Sequence, residues 1–566
     1  MRKKWVGIGS FKGWLVMLKS LNHGAVTLLA AIAVIAASAC WIACGSSSSS
    51  GGGGPPAPIV PPPPSPPPIG DWTALTPSSD TVTIYVSDSD GSDSDNGLTP
   101  ATAKKSISAG KALLRTGFPD WLVLKCGDTF TDDFGNFTKS GRSDTEPMVI
   151  TSYGSGARPL IRTGSGDGLE MFGGTPIAHV FIVGLHFQAH TYTGTGGCAA
   201  FKLLAVIDDV LVEDCFIEGY SDNLVVQASS GPSGSITNFR LRRSVIVDSY
   251  STANHSQGIY AEGIDGLLIE QCVFDHNGWN PSVLGGEETV FNHNIYVQSD
   301  CLNVTILGNI SAQASSHGLQ LRPGGIAMEN LFLKNAISMF AAGEGAGPPQ
   351  TQVVDNVVLD GKDIDGAPRG AGIEIFDSRN GLVKNNVVAH KPPGVGDQHA
   401  FWVEGQHDDI GGVPYVIMFE DNIAYQWNGS ALATENSYTG LTVRNNIFQD
   451  LSNSQVMINA ATLQGFEVFQ NNQYFTNRTA SQWFRNGGSN LSLAGWVTAS
   501  GETGAQNIQV SFPDPNRTIA TYMTSLGGTP SLAAFLAEAR LQSKSNWRTE
   551  YTAPVVNDYI RAGFGR

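Results

Sequence analysis

The sequence predicts an all-β chain, a right-handed parallel β-helix solenoid of about eleven or more rungs with short capping helices. Three observations carry this: a strand-turn unit that recurs from about residue 180, a composition suited to short strands, and a scarcity of long amphipathic helices. Glycine is abundant at 66 of 566 residues, charged residues make up 15%, and Val, Ile, Asn, Ser and Thr recur throughout.

Residues 1–44 read as an export signal. Arg2, Lys3, Lys4, Lys12 and Lys19 form a basic region, and Gly24 to Ala43 is apolar and uncharged. The stretch ends in Trp41-Ile42-Ala43-Cys44-Gly45, which resembles a bacterial lipobox with Cys44 as the acylated residue; Trp41 stands where Leu is usual. Ala37-Ser38-Ala39-Cys40 is a second candidate site, and an uncleaved anchor is the alternative, since the stretch is almost long enough to span a bilayer. Each reading puts the body outside the cytoplasm, as an outer-membrane-anchored lipoprotein or a secreted protein. Residues 45–70 are Ser-, Gly- and Pro-rich, a composition that buries no core and acts as a tether.

Beyond residue 70 the chain keeps 29 Lys and Arg against 50 Asp and Glu, a formal charge of −21. So acidic a body excludes nucleic acid and anionic membrane as partners, except for membrane attachment through the N-terminal anchor. Five cysteines remain, Cys126, Cys198, Cys215, Cys272 and Cys301, with no C-x-x-C spacing; small buried residues, with room for one disulfide, is the reading.

The repeat defines residues 71–500 as the β-helix with its N-terminal cap. Its copies read VFIVGLHF, VLVEDCFI, FRLRRSVIV, LLIEQCVF, VTILGNIS, LFLKNAIS, VVDNVVL, LVKNNVVA, MFEDNIAY, LTVRNNIF and FEVFQNNQYF. Their register residues are His186, Cys215, Ser244, Cys272, Asn309, Ala336, Asn356, Asn386, Asn422, Asn446 and Asn472, mostly 24 to 30 apart. That interval is too short for a βαβ unit at each step but fits a coil of three short strands, whose apolar residues are covered only by stacking. Asn tolerates left-handed geometry and bonds neighbouring backbone, so a stacked asparagine ladder is expected at the bend. The dense Leu of a leucine-rich horseshoe and the long blades of a propeller are both missing. Open ends need covers. Ser106 to Arg115 predicts a short helix near the start, and Thr529-Pro530 predicts an N-cap for a helix carrying Leu532, Phe535, Leu536 and Ala539 on one face. Residues 501–566 are therefore expected to be a C-terminal capping segment, sealing the bottom or packing along the side.

Aligned rungs place Ser256–Glu262, Asn292–Gln298, Ser316–Arg322, Ala371–Phe376 and His399–Glu404 side by side, with Ile259, Ile295, Leu319, Ile373 and Phe401 inward. Alternation then turns outward Gly258, Tyr260, Glu262, Asn294, Tyr296, Gln298, Gly318, Gln320, Arg322, Glu374, Trp402 and Glu404. Aromatics, amides and charges on rungs about 4.8 Å apart make a shallow groove suited to sugars. His293 and His317 lie one rung apart at the first position of their strands, where a bend can face them out. Asp275-His276-Asn277 follows the preceding rung, and Glu287 and Glu288 lie in an insertion.

Over roughly residues 80–500 this pattern resembles the pectate-lyase-like superfamily of right-handed parallel β-helices, which includes polysaccharide lyases, uronan epimerases and some glycoside hydrolases. The opening YVSDSDGSDSDNGLTPATAKKSI is similar to the N-terminal segment of such proteins. Asp275-His276 with His317-Gly318-Leu319-Gln320-Leu321-Arg322 resembles the alginate-epimerase and lyase type, which implies a His acting beside an Arg that neutralises a uronate carboxylate. Phe274-Asp275-His276-Asn277 departs from the epimerase's Asp-Pro-His-Asp signature, which speaks against epimerisation.

Chemistry at a uronate needs a donor set for the carboxylate, a base for the C5 proton and an acid for O4. Arg322 with Asn294, Gln298 or Gln320 suits the first, His293 or His317 the second, Tyr296 or Tyr260 the third, with His276 a further catalytic candidate. Tyr260, Glu262, Asn294, Gln298, Gln320, Glu374 and Trp402 are the expected substrate contacts. The leading expectation is a lyase cleaving a uronic-acid-containing glycan by β-elimination, acting as a monomer. The alternatives are a glycoside hydrolase drawing on Glu262, Glu374, Glu404 or Asp275, and a non-catalytic carbohydrate-binding surface protein. The acidic body repels a polyuronate at low salt. Ca²⁺ could bridge the two; Asp88, Asp90, Asp93 and Asp95 are candidate ligands without EF-hand spacing.

Overall fold

A computed structural model of the chain describes residues 70–228, 235–343, 351–364, 367–378, 380–396, 398–404, 415–435, 438–452 and 455–566. The expected signal and lipobox, and all of the linker but Gly70, lie outside these residues.

Short strands build three long sheets in a right-handed parallel β-helix, parallel throughout except for the last pair of sheet III, Phe484–Asn486 with Ser489–Leu491, which is antiparallel. Sheet I runs from Thr83–Val86 to Val468–Gln470, sheet II from Thr129–Phe130 to Gln506–Asn507, and sheet III from Gly135–Asn136 to Ser489–Leu491. Sheets II and III hold 14 strands each, so the coil is longer than the eleven copies read from sequence. In sheet II two of the added strands, Thr129–Phe130 and Leu160–Arg162, lie before residue 180, where the spacing is irregular, and the third, Gln506–Asn507, follows the last copy. Inward residues such as Ile182, Val212, Leu241, Ile269 and Ile306 stack rung on rung and are fully buried.

The corner between sheets I and II explains the repeated polar pair. Its first residue is left-handed: Asp214, Arg243, Gln271, Glu329, Asp355, Asn385, Asp421, Asn445 and Asn471 have φ between 44° and 58°. Its second residue enters the ladder and turns its side chain inward. Asn309, Asn330, Asn356, Asn386, Asn422 and Asn446 each donate Nδ2–H to the next residue's Oδ1 at 2.9–3.0 Å, ending at Asn472. The same Oδ1 also accepts the backbone N–H of the preceding Asn, for example Asn386 N to Asn422 at 3.0 Å. The expected ladder is thus real, but left-handed geometry belongs to the residue before the ladder Asn. Two register assignments need correction. Phe216 pairs with His186, so Leu185 precedes Cys215 in the column; Ile310 pairs with Leu331, so Asn330 occupies the position assigned to Ala336. The pentad Asn330 to Lys334 followed by Asn335 offers two asparagines, and only strand pairing chooses between them.

Four cysteines are buried, Cys126 is half-buried, and none is in a disulfide. Cys215 and Cys272 fill the ladder column above Asn309, where burial pushes both thiols up to about 12.

At the N-terminal end the helix Ile107–Ala112 is capped by Ser106, whose side chain accepts from Ala109 N–H. At the other end the helix Leu493–Ser500 buries Trp496 against Phe484 and Phe469 of the last turn, at ring distances of 5.1 and 5.0 Å. The helix Leu532–Ala539 does not seal the bottom. It packs along the side with the helices Ile519–Ser525 and Ala553–Gly563, covering Val245, Val273, Ile310, Leu331, Val357 and Val387 of sheet II. Its N-cap is Ser531 rather than Thr529, because the Ser531 side chain accepts from Ala534 N–H at 3.1 Å.

Candidate active site on the third sheet

The strands Gln257–Glu262, His293–Val297, His317–Leu321, Ile337–Ala342, Ala371–Phe376 and Phe401–Glu404 lie side by side in sheet III. Ile259, Ile295, Leu319, Ile373 and Phe401 point into the core as expected, all fully or almost fully buried. Outward positions fall in two rows. One holds Tyr260, Tyr296, Gln320, Phe340, Glu374 and Trp402; the other holds Glu262, Gln298, Arg322, Phe376 and Glu404.

Strict alternation fails at the start of each strand. Asn294, expected on the substrate face, is 0% exposed and points inward, donating Nδ2–H to Ser311 Oγ at 3.0 Å and accepting from Asn277 at 2.9 Å. It belongs to a second interior polar column with Asn223 and Asn277. A Cβ on Gly258 or Gly318 would likewise meet interior backbone and side chains, so these two also face in. The chain bends here, and the bend sends the preceding residues outward: Gln257, His293 and His317, with Asp222 before them in line.

His293 and His317 therefore border the groove. Their rings lie 4.6 Å apart, with Nδ1 to Nδ1 at 3.1 Å, and the His293 ring sits 5.0 Å from that of Tyr296. His293 Nδ1 also accepts the backbone N–H of His317 at 3.4 Å, which marks it as unprotonated; His317 Nδ1 faces that nitrogen and, at 2.9 Å, Ser316 Oγ, and since two facing lone pairs would repel, the tautomer with the proton on His317 Nδ1 is favoured. Burial, then the neighbouring His317, hold His293 well below the ordinary histidine range; burial, then Arg369, hold His317 at about 3. Both imidazoles are neutral near pH 7.

Tyr296 connects this pair to Arg322. Its hydroxyl accepts from Gln298 Nε2 at 3.1 Å and from Arg322 Nη1 at 3.4 Å, and Arg322 also reaches Gln298 Oε1 at 3.3 Å. Tyr260 is held differently: its hydroxyl donates to Glu262 Oε2 at 2.8 Å, and burial with that bond raises its pKa. Gln320 lies between Tyr296 and Phe340 in the first row. The structure thus gathers His293, His317, Tyr296 and Arg322 in one cluster, flanked by Tyr260, Glu262, Gln298 and Gln320.

His276 is not in this cluster. Its φ is 58°, its Nδ1 meets Asp248 at 2.9 Å and its ring lies 4.3 Å from Trp279. Asp275 next to it is bound by Arg540 of the flanking segment. Glu288 of the insertion is tied to Lys362.

Further along the groove stand Glu374 and Glu404. Glu374 is 4% exposed, and burial, then Glu404, push its pKa well above the carboxylate range, against Arg369. Burial, then Glu435 and Asp377, bring Glu404 to about 7. Phe340, Asp222, Arg369 and Glu435 are the residues that sequence reasoning missed. Phe340 lies in ISMFAA, a rung whose one polar residue, Ser338, is buried, so no outward polar residue marks it. Asp222 is half-buried, desolvation raises it to about 7, and its carboxylate accepts Gln257 N–H at 3.0 Å.

Among the described residues no three His, Cys, Asp or Glu are grouped to hold a metal ion. Of the four N-terminal aspartates, Asp93 accepts from Ser106 and Lys105, Asp88 pairs with Lys105, and Asp90 with Lys125. A cleft of 790 Å³ lies elsewhere, between residues 73–76 and the outer face of sheet I. Its His179 and Arg240 are both bound to Asp209.

No protein-family model matches the sequence. No curated protein matches it either. Solved structures with a similar course include a GH136 lacto-N-biosidase from Eubacterium ramulus, with 12% identity, 75% of this chain and 68% of that one covered, and a TM-score of 0.38. An alginate lyase from Paenibacillus sp. str. FPU-7 follows at 13% identity, 68% and 98% covered, and 0.35. The mannuronan C-5 epimerase A-module from Azotobacter vinelandii has 10% identity, 69% and 91% covered, and 0.36. At such identities the likeness concerns the fold alone.

Proposed function

We propose that the chain is a polysaccharide lyase that cleaves a uronic-acid-containing glycan by β-elimination in the sheet III groove, in an exported protein. The observation that carries this reading is the Arg322–Tyr296–His293–His317 cluster, which offers a cation, an acid and a neutral base on adjacent rungs.

The roles follow from the hydrogen bonds. Arg322 and Gln298 pair with the uronate carboxylate, drawing charge from C5. With Nδ1–H engaged, His317 presents an unprotonated Nε2 as the base that takes the C5 proton. The C5–H electrons form the C4=C5 bond as the C4–O4 bond breaks. Both lone pairs of the Tyr296 hydroxyl are occupied by Gln298 and Arg322. Its proton is therefore free to pass to O4, whereas that of Tyr260 is engaged by Glu262.

A second reading rests on the carboxylate pair: Glu374, kept protonated, as the acid of a glycoside hydrolase and Glu404 as its base. Products separate the two. A lyase generates an ultraviolet-absorbing unsaturated uronate; a hydrolase generates reducing ends without that absorbance. In the lyase case, His317→Ala, Tyr296→Phe and Arg322→Ala each lower kcat by about 10²–10⁴-fold. Full activity in all three would refute the assignment.

A further inference from the structure

Charge is distributed unevenly along the groove, and the unevenness bears on the substrate. Resting on the lyase reading, we infer that the substrate is a heteropolysaccharide in which the uronate bound at Arg322 is followed by neutral sugars toward Trp402, rather than a homopolyuronate.

A rung rises about 4.8 Å, close to the length of one pyranose along an extended glycan, so successive rungs face successive sugars. The cleavage cluster sits on the strands His293–Val297 and His317–Leu321. Arg322 closes the second of these, and Arg369 acts electrostatically on both His317 and Glu374. Beyond them the character changes. The strands Ile337–Ala342, Ala371–Phe376, Phe401–Glu404 and Gly429–Thr434 contain no Lys or Arg. Their outward residues are Phe340, Phe376, Glu374, Trp402 and Glu404, with Glu435 next in line.

Each type of residue here disfavours a second carboxylate and favours an uncharged ring. Phe340 and Phe376, with centroids 5.2 Å apart, and half-buried Trp402 offer aromatic faces to the apolar face of a pyranose. Glu404 and Glu435 would meet a uronate with like charge in a half-buried groove, where salt screens less than on an open surface. Glu374, held protonated by burial, donates a hydrogen bond to a sugar hydroxyl and supplies no positive charge. Among the described residues, a polymer with a carboxylate on every sugar therefore finds its counter-charge in Arg322 and Arg369, and none on the strands Phe401–Glu404 and Gly429–Thr434. Spaced carboxylates also lessen the repulsion between an acidic body and an acidic substrate.

The test measures initial rates by ultraviolet absorbance on two kinds of polymer: polygalacturonate and polymannuronate, and chains such as hyaluronan and unsulfated chondroitin, in which glucuronate alternates with a neutral sugar. The expected result is cleavage of an alternating chain at least about tenfold faster than of either homopolymer. Glu404→Lys should narrow that ratio, with Glu404→Gln moving it the same way by less. Homopolymer cleavage at an equal or higher rate, with a ratio untouched by both variants, overturns the neutral-sugar inference and leaves the lyase intact. No ultraviolet product from any of the four overturns the lyase reading as well.

Discussion

At the residue scale, burial decides the charge of the groove's side chains, and this makes stability depend on pH in two opposite ways. His317 has a folded pKa of about 3 against an ordinary 6.5. The unfolded state binds its proton first as pH falls, so stability is lost below pH 6.5. Glu404 has a folded pKa of about 7 against an ordinary 4.5. Here the folded state keeps its proton longer, so stability is lost as pH rises from 4.5 through 7. Urea melts across this range should show His317→Gln reducing the acid-side loss and Glu404→Gln reducing the loss toward neutrality, each relative to wild type. The ladder makes a separate prediction. Asn386→Ala strips Asn356 of both its N–H and its Nδ2–H acceptor in the core, and should cost about 1–3 kcal/mol in denaturant unfolding.

At the scale of the element, short strands depend on their neighbours, so the end rungs need partners of another kind. The helix Leu493–Ser500 supplies one. Trp496 is 0% exposed, stacks on Phe484, and donates Nε1–H to Glu502 at 2.8 Å. Glu502 in turn accepts from the last ladder residue, Asn472, at 2.9 Å. One carboxylate thereby closes both the asparagine ladder and the cap. Trp496→Ala should destabilise the chain by about 3–5 kcal/mol, read as a lower Tm, and should promote association through the bared last rung. The repeat was legible because the polar pair breaks strand alternation at every corner. Its register was less so, since a one-residue slip such as Leu185 against His186 changes no composition, only pairing.

At the scale of the whole molecule, the chain after the cap turns back along sheet II. Val510 exchanges backbone hydrogen bonds with the Gln449 side chain, Arg540 binds Asp248 and Asp275, and Arg561 reaches Asn385 O at 2.9 Å and Asp355 at 2.8 Å. Phe535, Leu536, Val556 and Ile560 are buried against the outer valines and leucines of that sheet. The start of the described chain contributes as well: Asp71 O accepts from Arg242, which pairs with Glu213 and Glu270, and Trp72 packs edge-on against Trp547 at 5.2 Å. Ending the chain at residue 508 should expose an apolar strip on sheet II and give strong binding of a hydrophobic dye with aggregation. Wild-type levels of dye binding and a monomeric elution would contradict that role for the flank.

The sequence by itself determined the solenoid, its inward residues and most of the groove's outward rows. Two-residue alternation and a recurring polar pair are local properties that survive without knowledge of neighbours. Tertiary structure alone decided which asparagines joined the ladder, that Asn294 faces inward while His293 and His317 face the groove, and that His276 stands apart beside Asp248 and Arg540. The physical reason is the same in each case. Direction at a bend is set by pairing with the rungs above and below, and the charge of a side chain is set by what buries it. Both depend on residues distant in the chain, and no local pattern records them.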